Sequence, residues 1–218
     1  MKIKFIEKYK NIIGLYFNSP LHKGNKKDFI FIHINKTAGT SVIDIIGKPF
    51  RKHLTAREII DHIGKKKWDT AYKFSVVRNP FDKMVSHYKH RIKTNPKVMI
   101  NRLEGKKNEK EFISFKKWIE VTLGENKVKF YYNRPQHFLP QTEWLKDYDG
   151  NIKIDTIVRF ENLNEGFDKV SQDLGLESKL PHLNRTLKSN YRDFYDEETK
   201  ILVSEWFYED INYFGYKF

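Results

Sequence analysis

The chain of 218 residues contains no cysteine. That excludes a disulfide framework and any thiolate-held zinc, and it fits a reducing compartment. It also lacks a long apolar run: no stretch approaches the roughly 18 residues that would span a bilayer. Charges interrupt the segment from Met1 to Lys10 every few residues, so no apolar signal core stands there. The expectation is a cytoplasmic protein without a transmembrane segment. Proline (7) and glycine (11) are scarce and nowhere gather into a linker, and no internal repeat is present, so one domain is expected over residues 1–218. Acidic residues are the minority, 28 against 41 Lys and Arg, for a formal net charge of +13. Such a surface suits acidic partners: nucleic acid, anionic lipid, an acidic glycan or a highly charged nucleotide. Lysine-rich composition, with abundant Asn and Ile beside it, can also arise without any partner. No RRM, zinc-finger or helix-turn-helix signature supports a nucleic-acid partner. No histidine or carboxylate cluster has metal-site spacing, so no metal is expected.

What is present is organised around Asp28 to Ile46, DFIFIHINKTAGTSVIDII. Phe29, Ile30, Phe31, Ile32 and Ile34 form a short, dense apolar run that reads as a buried strand. The run breaks into Asn35-Lys36-Thr37-Ala38-Gly39-Thr40-Ser41. Val42, Ile43, Ile45 and Ile46 then resume at helical spacing, and Gly47 is a stop. Strand, small-residue turn and helix together aim backbone N–H groups and a helix N-terminus at one spot, which suits a phosphate or sulfate. Lys36 adds positive charge; Thr37, Thr40 and Ser41 add hydroxyls. The G-x-x-x-x-G-K-[ST] spacing of a P-loop is absent, because the glycine here follows the lysine.

A second unit of the same kind follows. Lys73 to Val77 reads as a buried strand ending at Arg78-Asn79-Pro80-Phe81-Asp82. Pro80 suits the first turn of a helix and Asp82 its dipole, and Phe81, Met84, Val85, Tyr88 and Ile92 make a helical stripe. Ser86, eight residues past Arg78, turns back toward the strand end. Arg78 stands at the carboxyl end of a strand, where open α/β sheets bind ligands. Further on, Phe115 to Leu123 is a helix stopped by Gly124, and 136–141 is a donor-rich loop that could meet a sugar. Ile154 to Phe160 is a third strand. Asn162 with Glu165 suggests a capping box for a helix running to Gly175, and a last helix runs from about Asp196 through Trp206. Residues 3–17 carry a helical stripe, and 94–112 is a charged surface segment.

His33 to Ser41 resembles the H-x-P-K-T-A-G-T-S loop of PAPS-dependent carbohydrate sulfotransferases, with Asn35 where that family has proline. RNPFDKMVSHY resembles the family's second motif, and 42 positions separate Lys36 from Arg78. R-F-E-N-L, L-P-H-L-N-R and D-I-N-Y-F-G-Y are similar to its C-terminal pattern. The resemblance covers about residues 28–218. It implies a single α/β domain with a mainly parallel central sheet flanked by helices, the P-loop-like sulfotransferase fold. It implies a sulfotransferase moving a sulfuryl group from PAPS (3′-phosphoadenosine 5′-phosphosulfate) to an acceptor hydroxyl, leaving PAP, with no metal required. The acceptor would be a carbohydrate or glycoconjugate, with polysaccharide, glycolipid and small alcohol all open, as is the oligomeric state. Lys36, Thr37, Ala38, Gly39, Thr40 and Ser41 would hold the phosphosulfate, and Arg78 and Ser86 the 3′-phosphate, with Arg185 a weaker candidate for the same group. Lys36 and His53 would be catalytic. His53 lies between the two motifs, where some family members carry a catalytic histidine; His137 and Glu58 are the other candidate bases. The competing classes are an ATP-dependent P-loop-like kinase and a basic nucleic-acid-binding module.

Overall fold

The computed structural model describes residues 29–47, 51–103, 111–176, 180 and 190–218. The stripe at 3–17, most of the charge run after residue 103, and the 181–186 turn with Arg185 lie outside these residues. In chain order the described elements are β1 (Phe29–Ile32), α1 (Gly39–Ile46), α2 (Ala56–Ile63), α3 (Lys65–Thr70) and β2 (Tyr72–Val77). Then come α4 (Pro80–Thr94), α5 (Pro96–Met99), α6 (Phe115–Leu123) and α7 (Gln141–Leu145). The last are β3 (Thr156–Arg159), α8 (Leu163–Leu174), α9 (Glu197–Trp206) and α10 (Tyr208–Phe214). The class is α/β, with a parallel sheet flanked by helices. None of the described helices is long and apolar enough to cross a membrane.

Two compact units divide the chain. The first comprises the described residues up to Arg78 together with those from Gln141 to Leu180, and it holds the sheet. Its strand order is β1-β2-β3, all parallel, with Phe31 opposite Phe74 and Ser75 opposite Ile157. β2 is central and therefore buried from Lys73 to Val77, which is why its sequence is continuously apolar apart from Lys73 and Ser75. The Ser75 hydroxyl donates to the Ile32 carbonyl at 2.7 Å, so this buried polar group is satisfied. Val42 and Ile46 of α1 and Phe167, Val170 and Leu174 of α8 close a core over Phe74, Val76 and Val158. Gly166 lets α8 lie tight on β3, because a Cβ there would come to 2.6 Å from Val158 Cγ1. Since the strands are parallel, their three carboxyl ends share one edge. The Lys36 loop, Arg78 and Phe160 follow them there.

The second unit comprises Asn79–Pro140 and the described residues from Asn190 on. It is helical, and aromatics dominate its core: Phe81, Phe115, Trp118, Tyr131, Phe138 and Phe207 are all buried. α4 starts as its sequence suggests, with Pro80 in the first turn and the Asn79 side chain accepting from Phe81 N–H. α6 ends at Gly124 and α9 is capped by Asp196.

One local expectation fails. Asn162 makes no side-chain cap to α8. A 3₁₀ turn over Phe160–Asn162 runs straight into the helix. It denies Asn162 the extended backbone from which an N-cap side chain reaches back.

Candidate active site

The first unit builds the site at the carboxyl edge of its sheet. After β1 the chain turns through Asn35 to Ala38, and Lys36 (φ 66°) and Ala38 (φ 62°) both take the left-handed conformation. Alternating left- and right-handed residues point successive N–H groups into one concavity, which is how short loops hold anions. For residues with a Cβ this costs about 1–3 kcal/mol each and persists only under surrounding restraint. Two restraints are visible. Thr37 is fully buried and its hydroxyl donates to the Ile34 carbonyl at 2.9 Å. Arg78 Nη1 donates to the Lys36 carbonyl at 3.1 Å. The Thr37 hydroxyl is thus a brace inside the loop rather than the outward donor its position in the sequence suggests. Ala38 supplies no side-chain cap to α1, which leaves the helix's first N–H groups to other partners. Thr40 is exposed and Ser41 half-buried at that terminus.

The Lys36 ammonium is pushed down to about 8, by burial first and by the Arg78 charge second. Arg78 itself is held from both sides. Its N–H donates to Gln141 Oε1 at 2.9 Å, and Gln141 Nε2 donates back to its carbonyl at 2.8 Å. Its guanidinium lies 4.0 Å from the centroid of the Phe160 ring, a cation–π stack that fixes the plane of the fork. Gln141 therefore anchors Arg78; the donor-rich loop expected to meet a sugar gives up this amide to the site's frame.

His33, at the end of β1, is buried and stacks on Phe31 at 5.5 Å. Its ring lies 4.2 Å from that of His53. Burial, with the charges of His53 and Lys52, pushes the His33 imidazole down to about 3, so it is neutral in any physiological buffer. His53 also sits at positive φ, 63°. Its Nδ1 lies 3.1 Å from the His33 carbonyl oxygen. A carbonyl can only accept, so Nδ1 carries the proton and Nε2 keeps a lone pair. Burial chiefly, then Lys52 and Lys36, hold its pKa below the ordinary imidazole value against the opposing effect of that hydrogen bond. A neutral imidazole protonated at Nδ1, near the Lys36 charge, has the chemistry to accept a proton at Nε2. Its neighbour Glu58 is engaged otherwise: it closes a capping box with Thr55, accepting from the Thr55 N–H at 2.8 Å.

The chain matches the model of the Sulfotransferase family over residues 24–217. It belongs to that family. It is similar to an uncharacterized protein of Archaeoglobus fulgidus, 30% identical over 136 residues, which is 62% of this chain and 93% of that protein. Among solved structures it is similar to a sulfotransferase from Alicyclobacillus acidocaldarius, with 16% identity and a TM-score of 0.39 over 75% of this chain; it spans 60% of that chain's length.

In this family member Lys36, the 37–41 backbone, Arg78 and His53 are brought into one unit. Ser86 lies half-buried on α4, and His137 on a 3₁₀ turn, both in the second unit. No group of three or more His, Asp or Glu among the described residues could hold a metal ion. The sequence marks His33, at the end of a buried strand, as a packed or hydrogen-bonded support, which the structure shows it to be. It does not name His53 as the partner, nor Gln141 and Phe160 as the partners of Arg78, because no local signal announces contacts across 20 to 82 positions.

Gly39 is needed for space rather than for φ. A Cβ there would overlap the His33 ring, which Phe31 and His53 hem in on its other sides. Gly39→Ala is expected to cost about 1–3 kcal/mol as an overpacked site, read as a lower urea midpoint. An unchanged midpoint would mean that the ring yields freely.

Proposed function

We propose that the chain transfers the sulfuryl group of PAPS to the hydroxyl of a carbohydrate or other glycoconjugate acceptor, giving PAP and a sulfate ester. Family membership supports sulfotransfer as the reaction. The observation that carries the donor assignment is the strained Lys36–Ala38 loop hydrogen-bonded to Arg78, with two cationic side chains and a helix N-terminus on one edge. One highly anionic ligand with two separated charged groups fits that arrangement better than a single phosphate does. In the reaction the acceptor oxygen attacks sulfur in line, and the bond from sulfur to the 5′-phosphate oxygen breaks. The acceptor proton goes to His53 Nε2. Charge that grows on the bridging oxygen meets Lys36 and the loop N–H groups. Arg78 takes the 3′-phosphate, for which its fork is suited.

Ligand-dependent melting tests the donor. PAP at 100 times its Kd should stabilise the chain by about 2.7 kcal/mol. AMP at the same concentration should do much less. Arg78→Lys should shrink the PAP-over-AMP preference by about tenfold or more, since a hydrogen bond to a charged group is worth about 1.5–3 kcal/mol. Stabilisation by ATP with magnesium but not by PAP would turn the reading to a kinase. Stabilisation by an oligonucleotide alone would turn it to a nucleic-acid-binding module.

A further inference from the structure

The helical unit carries a second basic cleft, unused by the chemistry above. It lies between α4 and the turn over residues 133–137, and it is lined by His87, His90, Arg91, Asn133, Arg134 and His137 among others. Its space, open mouth included, is about 390 Å³. His87, His90 and Arg91 share a face of α4 because they are three and four positions apart. The 3₁₀ turn is closed by His137 N–H donating to the Arg134 carbonyl at 2.9 Å, and it brings the His137 ring to 5.6 Å from His87.

We propose that this cleft binds an oxyanion group, a sulfate, phosphate or carboxylate, between Arg91 and Arg134. Arg91 is the decisive residue. It is only 5% exposed. Its Nη2 donates to Asn133 Oδ1 at 2.9 Å, while its Nε is buried with no hydrogen-bond partner among the described residues. Burying a guanidinium is costly unless it is paired, and a neutral amide pairs one of its five N–H groups. The charge that acts on it is that of another cation: burial first, then Arg134, lower its pKa. No aspartate or glutamate lines the cleft among the described residues. Two guanidiniums converging without a carboxylate suit a guest that supplies the negative charge, and an oxyanion can accept from both forks. The guest would be a free anion or a charged group on a saccharide.

The test is a titration of the full chain with inorganic sulfate at constant ionic strength. It is followed by NMR of the histidine ring protons, with His137→Gln identifying the reporter signal. A saturable shift of the His137 signal is expected. Arg134→Glu should weaken it by about tenfold or more, and because Arg134 is exposed this variant tests the idea even if Arg91→Ala does not fold. Lys36→Ala, which alters only the candidate nucleotide loop, should leave the titration unchanged. No saturable shift, a shift indifferent to Arg134→Glu, or one lost with Lys36→Ala would overturn the proposal. A competition arm separates the sources. Displacement of sulfate by a sulfated or carboxymethylated oligosaccharide at lower concentration assigns the anion to a saccharide, and equal potency assigns a free ion. Both are forms of the proposed site. Because the readout is binding at His137, its failure is distinct from failure of the PAPS reading.

Discussion

Replacing His53 with alanine is expected to lower turnover by about 10²–10⁴-fold at saturating PAPS, the range spanned by loss of a general base, while PAP affinity is kept. The reaction needs such a group because a protonated sugar hydroxyl is a weak nucleophile. The geometry favours His53 over its rivals in two ways. The His33 carbonyl fixes its tautomer with the lone pair on Nε2, and Glu58 is tied into the α2 capping box. Its lowered pKa also has a visible consequence. The acid limb of the kcat profile should fall below the ordinary imidazole value, since the ring resists protonation, and His53→Ala should abolish that limb. His53→Gln offers a hydrogen-bonding control: it keeps a polar side chain but cannot take a proton at pH 7. Turnover near normal in either variant, or turnover that drops only in step with PAP affinity, would remove His53 as the base and turn attention to His137.

Lys36→Ala should cut turnover by about 10²–10³-fold, the scale of losing one preorganised donor at a developing oxyanion. The loss should exceed that of Lys36→Arg, which keeps the charge. A pH signature accompanies it. In the free protein the Lys36 ammonium sits near 8, and a bound phosphosulfate or phosphate must raise it. Binding therefore takes up a proton above that pH. PAP affinity should be at its full value below about pH 8 and decline as pH rises through it, while Lys36→Ala should show no such decline. A calorimetric titration across pH 7 to 9.5 in buffers of different ionisation heat would measure the uptake directly. Turnover close to normal in the alanine variant would take Lys36 out of the chemistry.

The local grammar of the chain was readable without coordinates. The apolar run of β1 breaks at Asn35 and restarts as a helix, and Pro80, Gly124 and Asp196 mark helix boundaries where the structure has them. These signals work because the groups that satisfy each other lie within about four residues, so the sequence carries the whole interaction. Asn162 shows the limit of the same logic: its spacing to Glu165 suits a capping box, but the preceding 3₁₀ turn sets its backbone and the cap does not form. The positions of the Lys36 loop and of Arg78 were equally legible, since each follows the carboxyl end of a recognisable strand, and parallel pairing then puts those ends on one edge.

Tertiary structure decided the rest. That Gln141 brackets the Arg78 backbone 63 positions away, that Phe160 lies under its guanidinium, and that the His33 carbonyl sets the His53 tautomer all depend on where the chain returns. The amino-acid sequence by itself determined a strand–loop–helix turn around Lys36, an arginine at a strand end and a histidine between them. Only the packed sheet determined which of their polar atoms are engaged within the protein, as the Thr37 hydroxyl is with the Ile34 carbonyl. Hydrogen-bond partners across long loops are chosen by the burial of the whole core, and no window of sequence contains that information.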